Sequence, residues 1–225
     1  EFLTIACYEL TRVIEDERWE ACPIFPNPTE ITPQGVSVRP GAPAPNVTPD
    51  FAYAAVACGL CEIGYSGIPL SEKFGSRQRF HMIITDAELE PDPLLEENPC
   101  NGCHACADAC PLGAISKTET EEITVCGKTF VVGKVDYNKC RICQNGAVAN
   151  RFSPDAKPDR IAALCNRTCM NGLEALRRVS NTFENSFRKR DAWALDERGK
   201  YTELNREAAN VLGGSFSKDG DRSAK

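Results

Sequence analysis

Apolar positions recur at helical spacing in the first residues. Leu3, Cys7, Leu10, Ile14 and then Trp19 stand among charged residues, which predicts a helix over 1–20. The stripe begins in mid-element and the first residue is Glu1 rather than Met, as expected of a processed or truncated chain. The periodicity then breaks. Residues 23–49 hold eight prolines, which fix φ and remove backbone donors, so neither a long helix nor a central strand fits. This stretch reads as a loop, either wrapping and lining a site or merely connecting. Thr48-Pro49-Asp50 marks a helix start, with Thr as N-cap, Pro at the first helical position and an acid in the first turn. The helix runs through the alanine-rich Phe51–Ala57, where small side chains allow close backbone packing, and ends near Gly59. Gln78–Thr85 alternates as a strand, with Phe80, Met82 and Ile84 on one face and His81 and Ile83 on the other.

An acidic, proline-rich segment, "DAELEPDPLLEENP", then predicts a boundary near residue 95. Beyond it, Ile123–Val125 and Thr129–Val135 flank Cys126-Gly127-Lys128 as a β-hairpin. Leu173, Leu176, Val179, Phe183 and Phe187 form an apolar stripe that predicts a helix after Cys169, packing the second region on the first. The tail from about Gly213 is polar and glycine-rich, the composition of a mobile end. The expected organisation is a first domain over 1–95, a second over 96–190 and an extension over 191–225.

Charge and length exclude some functions. The chain has 225 residues and a net charge of −6, enough length to bury a core and no basic stripe with interleaved aromatics for direct nucleic-acid binding. No apolar run approaches the roughly 18 residues of a membrane span, and no signal peptide is visible. Thirteen cysteines change the picture most. An odd number at close spacings fits metal ligation better than a closed disulfide framework, and implies a reducing, cytoplasmic or anaerobic setting.

Cys100-x2-Cys103-x2-Cys106-x3-Cys110-Pro111 matches the bacterial ferredoxin run for four-iron clusters. Two-residue gaps let a tight loop reach three corners of a cube; the longer gap and the proline turn the fourth thiolate towards a second cube. Cys140-x2-Cys143 and Cys165-x3-Cys169 supply the remaining donors. Paired crosswise, Cys100, Cys103, Cys106 and Cys169 form one set; Cys110, Cys140, Cys143 and Cys165 form the other. The ferredoxin run argues against zinc in these positions. Cys126 is either a free thiol in a turn or a competing ligand, and Cys7 and Cys22 read as buried small apolar residues. His104, inside the cluster loop, either tunes a cluster by hydrogen bonding or faces solvent, and His81 reads as structural. Two histidines are too few for a rich zinc or non-haem iron site, and no phosphate loop or complete dinucleotide fingerprint occurs. Cys58-x2-Cys61 reads as a redox or ligand pair, or as small residues in a close-packed loop.

Residues 58–115, from "CGLCEIGYSGIPLSEKFG" through "TDAELEPDP" to "CNGCHACADACPLGAI", resemble the epoxyqueuosine reductase and reductive dehalogenase group. That group has an alanine-rich helix, a glycine-rich stretch matched here by Gly59, Leu60 and Gly64, then Phe74-Gly75, Thr85-Asp86 and a two-cluster ferredoxin module. The resemblance implies an α+β chain, with a partial nitroreductase-like α/β domain followed by a ferredoxin-like iron–sulfur module. It implies cobalamin beside two 4Fe-4S clusters, with Gly59, Leu60, Gly64, Tyr65, Ser66 and Gly67 nearest the corrinoid, because small residues let backbone approach a flat macrocycle. The group's acidic proton donor has no counterpart: Ala44-Pro45-Asn46-Val47 stands in its place, Asp50 is out of register, and neither Tyr53 nor Tyr65 matches the dehalogenase tyrosine by motif. Two functions follow. One is reduction of a small-molecule or tRNA-derived substrate by a corrinoid that the clusters supply with electrons. The alternative is a ferredoxin-type electron-transfer protein or subunit without substrate chemistry. Both require a redox donor or acceptor protein as partner.

Overall fold

A computed structural model describes residues 2–24, 32–150, 154, 156–182 and 193–202. In chain order the elements are α1 (Phe2–Asp16), β1 (Ala21–Ile24), α2 (Phe51–Ala57), β2 (Glu62–Ile63), β3 (Pro69–Leu70), β4 (Met82–Thr85), α3 (Ala105–Asp108), β5 (Ile115–Val125), β6 (Lys128–Val135), α4 (Tyr137–Arg141), α5 (Leu164–Ala175), β7 (Ala194–Leu195) and β8 (Tyr201–Thr202). The fold is mixed α and β, with small two-stranded sheets. All are antiparallel: β1 with β4, β2 with β3, β5 with β6 and β7 with β8.

Several local expectations shift. The N-cap of α2 is Asp50, not Thr48: its carboxylate accepts from the backbone N–H of Ala52 (2.8 Å) and Tyr53 (3.2 Å). An acid reaches these free amides and complements the positive end of the helix, so the start lies two residues later. In α1 the buried positions are Cys7 and Thr11, while Leu3 and Leu10 are exposed. The strand expected over 78–85 begins only at Met82, where β1 supplies a partner, and Ile84 is exposed. Cys22, expected inside, is exposed on β1. The helix expected after Cys169 instead starts at Leu164 and ends at Ala175, because Arg177 turns left-handed (φ 53°). Phe183, Phe187 and the tail from Gly213 lie outside the described residues.

Three apolar clusters hold the molecule together. In the first, Ala55 and Val56 of α2, Cys61 and Ile63 pack on Phe130 and Val132 of β6. Residues on both sides of position 95 therefore share one core. Lys128 reinforces this contact by pairing with the buried Glu62 carboxylate and donating to the Leu95 carbonyl. The second cluster joins Tyr65 to Cys106, Ala107, Ile115, Ala163 and Cys165. The third joins Leu70 to Met170, Leu173 and Val179. Gly133 lets β6 approach Tyr65: a Cβ there would stand 2.7 Å from the tyrosine ring. The Gly133 N–H donates to the Tyr65 carbonyl (2.8 Å), and the Tyr65 hydroxyl donates to the Ser116 carbonyl (3.0 Å). Tyr65 is thereby fixed between the hairpin and the cysteine-rich region.

Candidate metal centre and adjoining cavity

The first cysteine run lies on the loop 100–104 and on the short α3. Cys103 is exposed, Cys100 half-buried and Cys106 buried. Asn98 starts the loop. Its side-chain carbonyl accepts from the Cys100 N–H (2.9 Å) and its amide donates to the Ile63 carbonyl (2.9 Å). Arg178 clamps the same turn by donating to the carbonyls of Asn98 (2.6 Å) and Pro99 (3.3 Å). Helix α5 packs against α3 and brings Cys165 and Cys169 to the run. Burial, then the neighbouring Cys100, Cys165 and Cys103, push the Cys106 thiol up to about 12. Cys169 is raised well above the ordinary thiol value by burial and then by Cys106, Cys100 and Cys103.

A second set lies beside it. Cys110, Cys140, Cys143 and Cys165 line one small apolar cavity. Cys140 is pushed up to about 11 by burial and by Cys110 and Cys143, with Arg160 opposing the rise. Cys165 is pushed up to about 12 by burial, with Arg160 again opposing and Cys110 and Cys140 adding. Cys165 thus lies near Cys106 as well as in this cavity.

Backbone and amide donors already face the sulfurs. Tyr65 N–H donates to Cys100 Sγ (3.4 Å), Ala114 N–H to Cys110 Sγ (3.1 Å) and the Asn145 side-chain amide to Cys143 Sγ (3.7 Å). Such donors stabilise ligated thiolates and raise cluster potentials. Among the described residues no three His, Cys, Asp or Glu converge on a point where one ion would sit. Uncharged buried thiols become ligands by losing protons, so loading either set releases them.

A larger cavity of about 620 Å³ opens on the other side of Arg160. Tyr53, Gly67, Phe80, Tyr137 and Lys157 are among its walls. Three further wall residues, Ser76, Gln78 and Arg160, each hold a buried polar atom without a partner: Oγ, Nε2 and Nη1 respectively. Each costs stability until something satisfies it.

The glycine-rich stretch spreads over both sides. Gly67 lines the large cavity. The Ser66 carbonyl accepts from Arg160 Nη2 (2.9 Å), and Tyr65 lies in the second apolar cluster. Gly64 packs on Leu70, Gly59 (φ 70°) on the Pro93 carbonyl, and Leu60 is exposed. Cys58 is exposed and Cys61 fully buried, so the two thiols do not share a surface. Cys126 is an exposed free thiol at the β5–β6 turn. His104 stacks on the Tyr65 ring (centroids 3.9 Å apart). The spacing does not announce Arg160 and Arg178, whose contacts span 94 and up to 80 residues, nor Asn98 and Asn145, which stand two residues from Cys100 and Cys143 but belong to no cluster motif.

A family model described as a 4Fe-4S binding domain matches residues 94–116. Over 85 residues the chain is 39% identical to tetrachloroethene reductive dehalogenases of Desulfitobacterium hafniense and Dehalobacter restrictus, covering 36% of this chain and 15% of each relative. Over 133 residues it is 29% identical to an epoxyqueuosine reductase of Lactococcus garvieae, covering 49% of this chain and 36% of the relative. The chain therefore spans well under half the length of these relatives. It carries a ferredoxin-type iron–sulfur region, has the capacity for electron transfer and is similar to reductases. Among the described residues no helix is long and apolar enough to cross a membrane.

Proposed function

We propose that this chain is an iron–sulfur redox protein of the cobalamin-dependent reductase type. Two 4Fe-4S clusters when bound supply single electrons, and a corrinoid when bound turns them to reduction of a carbon–oxygen or carbon–halogen bond. The observation that supports this reading best is the small cavity lined by Cys110, Cys140, Cys143 and Cys165, which shares Arg160 with the large cavity, in a chain whose residues 94–116 match a 4Fe-4S binding domain. Cys100, Cys103, Cys106 and Cys169 hold one cluster; Cys110, Cys140, Cys143 and Cys165 hold the other.

The chain's own groups prepare the site. The N–H groups of Tyr65 and Ala114 and the Asn145 amide orient the thiolates and offset their charge. Burial of Cys106, Cys140 and Cys165 limits water at both centres, while Cys103 stays exposed. The resemblance of residues 58–86 supports the corrinoid; of the segment it implies, Gly67 lines the large cavity, whereas Gly59, Leu60, Gly64, Tyr65 and Ser66 do not. The unpartnered polar atoms of Ser76, Gln78 and Arg160 suit an occupant rimmed with amides, as a corrinoid is. A nitroreductase-like cofactor domain would then include residues 1–95, and the iron–sulfur module residues 96–190. A low-potential donor protein supplies electrons, and a small-molecule or tRNA-derived compound accepts them. A reducing, anaerobic cytoplasm suits the free cysteines.

Titration of the reconstituted chain with cobalamin, followed by corrinoid absorbance, tests the proposal. Saturable spectral change at about one corrinoid per chain is expected. No binding would leave the ferredoxin-type carrier without substrate chemistry as the function.

A further inference from the structure

Arg160 is a buried cation with an incomplete shell. Only 7% of the residue is exposed. Nη2 donates to the Ser66 carbonyl (2.9 Å), and the guanidinium carbon stands 5.4 Å from the centre of the Tyr137 ring. Nη1 has no hydrogen-bond partner. The carboxylate next to it in sequence, Asp159, is paired with Arg79 instead. Removing a guanidinium from water without a counter-charge is costly, so the fold at this point calls for negative charge.

The position of Arg160 shows where that charge lies. Among the described residues it alone lines both the small cavity of Cys110, Cys140, Cys143 and Cys165 and the large cavity. It shares the small cavity with all four thiols of that set. Cys100, Cys103, Cys106 and Cys169 line neither cavity, and the arginine at their loop, Arg178, donates to the Asn98 and Pro99 carbonyls. The guanidinium therefore faces one set of thiols and not the other.

We infer that Arg160 is the counter-charge of the cluster held by Cys110, Cys140, Cys143 and Cys165, and holds its reduction potential above that of the other cluster. The inference rests on the two-cluster reading above. A cluster that accepts one electron from a low-potential donor gains one negative charge, and a fixed cation beside it stabilises that reduced form. Arg160 itself neither gains nor loses a proton or electron; it is a positioning and tuning residue. An electron entering the chain then comes to rest on the second cluster, next to the residue that also walls the large cavity.

The test is an EPR-monitored redox titration of the reconstituted full chain and of R160K and R160Q, with iron counted in each. Wild type and R160K are expected to hold about eight irons and to show two separated potentials. In R160Q the higher potential moves down towards the other, which stays in place; or that cluster alone is lost and about four irons remain. Three results would overturn the inference: unchanged potentials in R160Q, both potentials moving together, or R160K shifting as far as R160Q. Loss of all iron from R160Q would assign Arg160 to folding and overturn it as well. About four irons in wild type would instead remove the two-cluster reading on which it stands.

Discussion

Cys61 has no solvent exposure, while Cys58, three residues earlier, is exposed. Burial, followed by the adjacent Glu62, pushes the Cys61 thiol up to about 12 from an ordinary 9.0. The folded protein therefore keeps a proton on Cys61 that the unfolded chain releases above 9.0. The stability this confers is present below that value and is lost as pH rises towards about 12. Alkylation by iodoacetamide at about pH 8 should label Cys58 and spare Cys61, because only an accessible thiolate attacks. Peptide mass spectrometry reads the result, and equal labelling of both in folded protein would contradict the placement of Cys61 in the core. The Cys-x-x-Cys spacing showed the thiols but not their separation, because which residue of a tight turn faces the core depends on Phe130 and Val132, about 70 residues away.

Short elements here depend on caps and ties more than on length. Helix α2 has only 7 residues, too few to stand without its cap and its packing. D50A should lower stability by about 1 kcal/mol, whereas T48A should change it little, since Thr48 Oγ1 has no partner. Chemical denaturation of the two variants separates these cases, and the opposite ranking would restore Thr48 as the cap. The hairpin β5–β6 is tied to β2 by Lys128 and Glu62, the latter 2% exposed. K128M strands a buried carboxylate and should cost about 3 kcal/mol, with much of the loss recovered in K128M/E62Q. A loss no larger in K128M than at an exposed lysine would show the pair to be solvated. Local signals served well where the cause was local: the hairpin turn at Cys126-Gly127 and the alanine-rich α2 are where the pattern placed them. They failed at α5, whose apolar stripe continues past Ala175 while Arg177 takes a left-handed backbone that no glycine announces.

On the scale of the whole molecule, the cysteine sets join distant segments, so each ligand should matter to one set. C169A should remove the cluster of the Cys100 run and C140A the other, each leaving about four irons by colorimetric iron analysis. Loss of the same cluster from both variants would contradict the crosswise pairing. Spacing made the 4Fe-4S run at 100–110 legible, because a loop that wraps a cube needs short fixed gaps. The large cavity and Arg160 were not legible, since the Arg160–Ser66 contact spans 94 residues and depends on how the two halves meet. The proposed function stands on two four-iron clusters in this chain. Iron and acid-labile sulfide analysis of the reduced, reconstituted protein, with low-temperature EPR, is the direct measurement. About eight irons and eight sulfides per chain, with a spectrum broadened by two interacting centres, are expected; about four of each, with one unbroadened signal, would rule the second cluster out.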